Sequence, residues 1–295
     1  MLRRRTADVN GLLDVSPAWQ NPRRMSPDLS WTLSPGVLLG AAIVLAVYCR
    51  RWWQVRHSGS PRAAAEAPWW RLLCFAASIL VAIAALVSPL DALADQLFFA
   101  HMIQHMLLLD VAPILGILGF TKVILRPVTR AVHDIERRAG PLGHPAAAVA
   151  LYIAVIWVWH VPGAYDAAVS HPLVHIAEHI TFVLAGSLYW WHLLSPIRAR
   201  LRLEGMGPVA YMLSSKLFVG ALGMGLAFAP SALYPYYEHH VRVWGISAHE
   251  DQSVAGLIMA VEQSLVMGTA LVALFIRMLT ESEREQQRRE RYELI

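Results

Sequence analysis

The chain has 295 residues, a formal net charge of +4 and a pI near 9.3, yet only 16% of its residues are charged and 56% are hydrophobic. Soluble domains carry about 25% charge, so a mean hydropathy of +0.44 excludes an ordinary water-soluble domain and predicts an all-α polytopic membrane protein. The positive balance requires no nucleic acid, because basic loops beside a bilayer, with some contact to anionic lipid, account for it.

Residues 1–30 form a polar N-terminal segment with Arg3, Arg4 and Arg5, and no apolar run follows closely enough for a cleaved signal peptide. A transmembrane domain over 31–279 comes next. It is read as seven spans of mostly apolar residues: Trp31–Cys49, Trp69–Leu90, Phe98–Phe120, Pro145–Trp159, Pro172–Leu194, Gly207–Ala229 and Ser253–Met278. A charged tail, 280–295, alternates in sign and is expected to be a solvated helical end or disordered.

Lys and Arg set the orientation. Basic residues crowd the connections after the first, third and fifth spans, with Arg50, Arg51, Arg56, Arg62 and Arg71, then Lys122, Arg126, Arg130, Arg137 and Arg138, then Arg198, Arg200 and Arg202. The tail adds Arg277, Arg284, Arg288, Arg289 and Arg291, whereas the other three connections hold only Arg242. Basic loops and C-terminus therefore face the cytoplasm, with the N-terminus outside. Cys49 and Cys74 form no CxxC pair and read as small buried residues.

In the third span His101 and His105 are four apart and share a helix face, as do Met102 and Met106. Asp110 lies roughly 13 Å deeper than His101 at about 1.5 Å per residue, and Pro113 is expected to kink the helix. The fourth span ends on Trp159 and His160. A short connection with Asp166 follows, then Pro172 at a predicted first helical position. His171, His175 and His179 step by four from there, with Glu178 among them. The sixth span carries Ser214, Ser215 and Lys216, then Gly220, Gly223 and Gly225, expected to allow close helix approach. The last carries Glu262 and Gln263 at mid-depth.

Of 13 histidines, nine fall at the predicted outer face: His101, His105, His160, His171, His175, His179, His239, His240 and His249. The topology came from Lys and Arg alone, so this sorting is independent of it. Imidazole is the commonest side-chain metal ligand, and nearby thioethers tilt the choice toward copper. His101, His105, His160, His171, His175 and His179 are the candidate ligands, Asp166 and Glu178 could orient them, and Met102 and Met106 could add sulfur. The simpler reading of the two methionines is packing, and of the three loop histidines it is solvation. His175 to His179 also spells H-x-x-E-H, a zinc-peptidase pattern, discounted because so short a pattern arises by chance and no second acidic ligand follows at a recognisable spacing. Asp110, Lys216 and Glu262 are intramembrane charges. A Lys216–Glu262 ion pair locking two spans is their simpler role, a proton or ion relay the alternative.

Three stretches together resemble the CtaG-type cytochrome c oxidase assembly factors: His101-Met-Ile-Gln-His105-Met, Trp159-His160 through Tyr165-Asp166 to His171, His175, Glu178 and His179, and Glu250-Asp251-Gln252 through Met259. Ala229-Pro230 and Leu233-Tyr234 are similar too, so the likeness covers roughly residues 70–278. It implies a seven-span protein of the bacterial plasma membrane that assembles the copper centres of haem-copper oxidase, with oxidase subunits as partners and no catalysis of its own. One departure is Ala260-Val261-Glu262-Gln263, where the resemblance implies Trp and a Pro-Gly pair, so Glu262 inherits no role. Copper capture or relay by the six histidines is the leading expectation. The alternatives are a zinc-dependent lipid hydrolase with Glu178 or Asp166 as base, a haem-binding bundle ligated through residues such as His105 and His179, and a channel or transporter built on the buried charges.

Overall fold

A computed structural model of the protein describes residues 26–197, 203, 205–239 and 243–293, and these form helices with no strand among them. Most of the N-terminal segment, Arg198, Arg200, Arg202, Arg242, His240 and the side chain of His239 lie outside the described residues. In chain order the helices are α1 (Pro35–Arg56), α2 (Pro61–Ala65), α3 (Trp69–Val87), α4 (Pro89–Ala94) and α5 (Phe98–Met106). A π-helical turn, Leu107–Val111, joins α5 to α6 (Ala112–Gly119), followed by α7 (Lys122–Leu125), α8 (Thr129–Ala139) and α9 (Pro145–Trp159). Then come α10 (Pro162–Ser170), α11 (Pro172–Leu194), α12 (Gly207–Ala227), α13 (Pro235–His239) and α14 (Ala248–Glu293).

Proline marks several starts, because its missing N–H costs nothing in a first turn. Pro172 stands at the head of α11 as its position predicts, behind His171. Five helices are long and apolar enough to cross a membrane: α1, α3, the continuous Phe98–Gly119, α12 and α14. A sixth is reached if α9 and the amphipathic segment before it, bent by 72°, count as one broken span. Alone, α9 has only 15 residues, and α11, at 23 residues, does not meet the apolarity of the five. The lower apolarity of α11 has a reason, since it carries His175, Glu178 and His179 into the bundle. The final helix does not stop at the tail but continues to Glu293, so residues 280–293 are helical.

Phe98–Gly119 is the central rod. Of its apolar stretch 61% is buried, against at most 33% for any other candidate span. The outer helices turn Leu39, Val47, Leu73, Leu80, Leu217 and Leu265 outward, a lipid-facing surface no soluble protein would tolerate. Glycines set the closest crossings. A Cβ on Gly256 of α14 would sit 2.4 Å from the Gly223 carbonyl of α12. Gly220 and Gly225 meet nothing within 4 Å, so of the three predicted approach glycines only Gly223 makes the contact.

The tightest crossing joins α11 to the central rod. Pro113 offers no N–H to the Leu109 carbonyl four residues back, and the helix widens into a π turn there instead of merely kinking. The Leu109 oxygen then lies where a Cβ on Gly186 would be only 1.8 Å away. Backbone-to-backbone contact at this point fixes the height of α11 against α5. Replacing Gly186 with Ala is expected to cost about 1–3 kcal/mol or more, read as a lowered unfolding temperature in detergent, with Gly220→Ala as a near-neutral control.

Candidate metal centre

The start of α5 is held from across the fold. Its first N–H groups have no helical partner, and the Asp251 carboxylate of α14 accepts from both Phe98 N (2.8 Å) and Phe99 N (2.9 Å). Next to it, Gln252 accepts from Leu233 N at 2.7 Å and donates to Leu226 O at 3.2 Å. Gln104 donates to Ala85 O and to Asp91 Oδ1, tying the same helix to α3 and α4. Tyr165 packs against His101, with ring centres 5.2 Å apart, and its hydroxyl meets that of Tyr237 at 2.9 Å. His101 and His105 thus project from a helix pinned on three sides.

Opposite them, α11 presents His175, Glu178 and His179. The ring centres of His101 and His175 are 5.3 Å apart, and those of His105 and His179 are 5.6 Å apart. Glu178 is fully buried between the two pairs, its Oε2 lying 3.7 Å from His101 Nε2 and 3.6 Å from His105 Nε2. These separations are too long for hydrogen bonds. They are close to the roughly 3.3–3.4 Å expected between neighbouring ligands at about 2.0–2.1 Å from one tetrahedral ion. Two overlapping triads result, His101–His175–Glu178 and His105–Glu178–His179, each with its ligand atoms within 4.8 Å of one another. Both ring nitrogens of His101 and His105, Nε2 of His175 and His179, and both Glu178 oxygens are buried without a hydrogen-bond partner. Unsatisfied buried polar atoms are normally rare and individually costly; eight occur together here, and one atom from each of the five residues gives a donor set of nitrogen and oxygen that suits zinc, copper or iron.

Four of the six candidate histidines therefore meet, and Glu178 stands among the donors rather than behind them. The expected supporting hydrogen bonds from the imidazoles to Glu178 are not formed, since its oxygens lie beyond hydrogen-bonding distance of them. The other two histidines stand apart. His171 is the exposed residue capping α11, one turn above the half-buried His175. His160 is buried at the end of α9, where its Nδ1 lies 2.7 Å from Ile156 O and its Nε2 lies 3.3 Å from Met102 Sδ. Asp166 belongs to neither triad, and His249 Nε2 is 2.8 Å from the Ala229 carbonyl.

Below the nest, a cavity of about 30 Å³ is lined by Met102, His105, Met106, His160, Asp110 and Glu262, among others. Such a space holds a water or a bare ion and is far too small for a haem. The nest is enclosed on the side of His101 and Glu178, which are fully buried, and His175 is half-buried at its edge. Asp110 accepts from Tyr152 OH (2.9 Å), Trp190 Nε1 (2.6 Å) and Gln263 Nε2 (3.3 Å). Lys216 Nζ donates to Ser264 at 2.7 Å, and among the described residues no ion pair joins it to Glu262. The expected Lys216–Glu262 lock is thus replaced by an uncharged acceptor on the same helix, α14.

Comparison with known proteins bears on this arrangement. Residues 46–281 match the family described as the cytochrome c oxidase caa3 assembly factor. The uncharacterized protein ML1998 of Mycobacterium leprae is 23% identical over 278 residues, which is 86% of this chain and 40% of that protein, so the chain spans well under half the length of this curated relative. No solved structure matches.

Loss of the long-range cap is expected to loosen the nest. Asp251→Ala should cost about 1–2 kcal/mol of stability, while Asp251→Asn, which keeps an acceptor, should recover part of it. Thermal unfolding of the three purified proteins in one detergent checks the order.

Proposed function

The chain belongs to the cytochrome c oxidase caa3 assembly factor family, and from that premise we propose that it binds copper as cargo and delivers it to an oxidase subunit beside it in the membrane. The observation that carries this reading is the buried, unpartnered donor set of His101, His105, His175, Glu178 and His179. Partnerless imidazole and carboxylate atoms cost folding free energy, and a cation at their centre would satisfy one nitrogen of each ring together with the Glu178 carboxylate.

In this reading the protein crosses the bacterial plasma membrane seven times, α9 and α11 included, with its N-terminus outside and its C-terminus in the cytoplasm. Two features support the orientation. Arg71 donates to the Leu118 carbonyl at the far end of the central rod, and Arg51 donates to the carbonyls of Val123 and Ile124 just beyond it. The histidine nest occupies the opposite, Phe98 end of the same rod. Basic and metal-binding ends are thereby separated by the length of one span, as the positive-inside rule requires if the nest faces outward.

The histidine ladder of α11 supplies a route. His171 is exposed, His175 half-buried and His179 within the nest, so successive turns lead an ion from the surface to the buried site. Exchange of ligands among imidazoles needs no chemistry on the ion, and the protein's role is capture, holding and transfer rather than catalysis.

Copper analysis of the purified protein tests this. Wild type is expected to retain at least one copper per chain. His105→Ala and Glu178→Gln are each expected to bind it at least ten-fold more weakly and to lower oxidase activity in the host membrane. Wild-type protein that retains no copper, together with full oxidase activity in both variants, overturns the proposal.

A further inference from the structure

The cavity beneath the nest carries a different chemistry. Three thioethers line it, those of Met102, Met106 and Met259, together with the imidazoles of His105 and His160. Met102 and Met259 are buried in one apolar cluster against which Met106 packs, so the sulfurs are held together by the core rather than scattered over a lipid-facing surface. His160 gives the arrangement its direction. Its Nδ1 is 2.7 Å from the Ile156 carbonyl, an acceptor, so the N–H of the neutral ring sits on Nδ1. Nε2 then carries a lone pair, and it faces the Met102 sulfur at 3.3 Å.

Two electron-pair donors pointed at each other in a buried site gain little from each other. Together they are suited to an ion. A nitrogen at about 2.0 Å and a sulfur at about 2.3 Å from one tetrahedral centre lie roughly 3.5 Å apart, near the distance found. Thioether with imidazole is a soft donor set that selects monovalent copper over zinc or divalent copper. The charge of such an ion would otherwise be costly inside a bilayer, and the lining of the same cavity includes two carboxylates. Asp110 is fully buried there, and Glu262 leaves its Oε1 buried and unpartnered.

We propose that this cavity is a second metal site, built from Met102, Met106, Met259 and His160, that takes a soft monovalent ion, Cu(I), with Asp110 and Glu262 balancing its charge. His105 belongs to both places, lining the cavity and contributing to the His105–Glu178–His179 triad. Cu(I) could therefore pass from the nest to the sulfur site by exchanging ligands around one imidazole, with no change of oxidation state. The inference rests on the copper reading only for the natural ion, since the donor chemistry stands without it.

Ag(I), a redox-inert stand-in for Cu(I), and Co(II), which prefers nitrogen and oxygen, separate the two sites in the full chain in detergent. Methionine to leucine nearly preserves volume, so the triple variant Met102→Leu, Met106→Leu, Met259→Leu is expected to fold. It should lose one equivalent of Ag(I), or bind it at least ten-fold more weakly, while Co(II) binding stays within two-fold. Glu178→Gln with His179→Ala should do the reverse. Co(II) binding undiminished in the nest variant, beside a methionine-dependent Ag(I) site, would remove the copper-nest reading and leave this one standing. Should the triple variant unfold, silver-edge absorption on selenomethionine-labelled wild type decides. Selenium neighbours around silver support the site. Only nitrogen and oxygen neighbours, or an Ag(I) affinity unchanged by a folded triple variant, overturn it.

Discussion

Everything at the candidate centre depends on one buried carboxylate. Glu178 sits fully enclosed between two histidine pairs, close to both His101 and His105 but beyond hydrogen-bonding distance of either. A carboxylate in such a place is unfavourable unless opposite charge or donated protons surround it. The fold brings the His101 and His105 nitrogens to 3.7 and 3.6 Å, inside ion-pairing range but beyond hydrogen-bonding distance. It holds imidazole nitrogens that share the same deficit, which is the condition a cation relieves and an apolar core would not create.

The surrounding structure serves to hold that arrangement still. The π turn and Gly186 allow α11 to approach the central rod at backbone distance, which sets the heights of His175, Glu178 and His179 against His101 and His105. Asp251 satisfies the first N–H groups of α5 from more than 150 residues away, and Gln104 ties its middle to α3 and α4. Glycine contact between α12 and α14 positions Asp251 and Met259 in turn. Ordinary devices of membrane-helix packing, small residues at crossings and polar side chains bonded to backbone, are here gathered around a single pocket.

Much of this could be read before any coordinates. The i, i+4 spacing of His101 with His105 and of His175 with His179 defines two stripes, and both stripes face the same space. What spacing along one helix cannot reveal is which stripes meet, because that depends on the azimuth of helices far apart in sequence. His171 continues the α11 ladder perfectly and yet lies outside, since the cap position is the exposed end of the helix. His160 is drawn aside by its bond to Ile156. Glu178 looked like a supporting residue because a lone Glu beside two histidines usually is one; only the convergence of α5 places it at the middle. Asp110 was marked by its depth alone, whereas its partners Tyr152, Trp190 and Gln263 come from three other helices with no local motif. The same holds for Asp251, whose role as a cap is invisible without knowing that α14 begins beside α5. Apolar content likewise made seven stretches look alike, while α9 and α11 meet the physical demands of a span less fully than the other five.

Whether one ion is held by imidazoles from both α5 and α11 can be seen directly with Cu(II) as a probe ion and electron paramagnetic resonance. Nitrogen couplings from at least three imidazoles are expected in the wild-type protein, falling in number when His101 or His179 alone is replaced by Ala. A spectrum of copper bound to oxygen only, or one that neither substitution alters, would contradict the account.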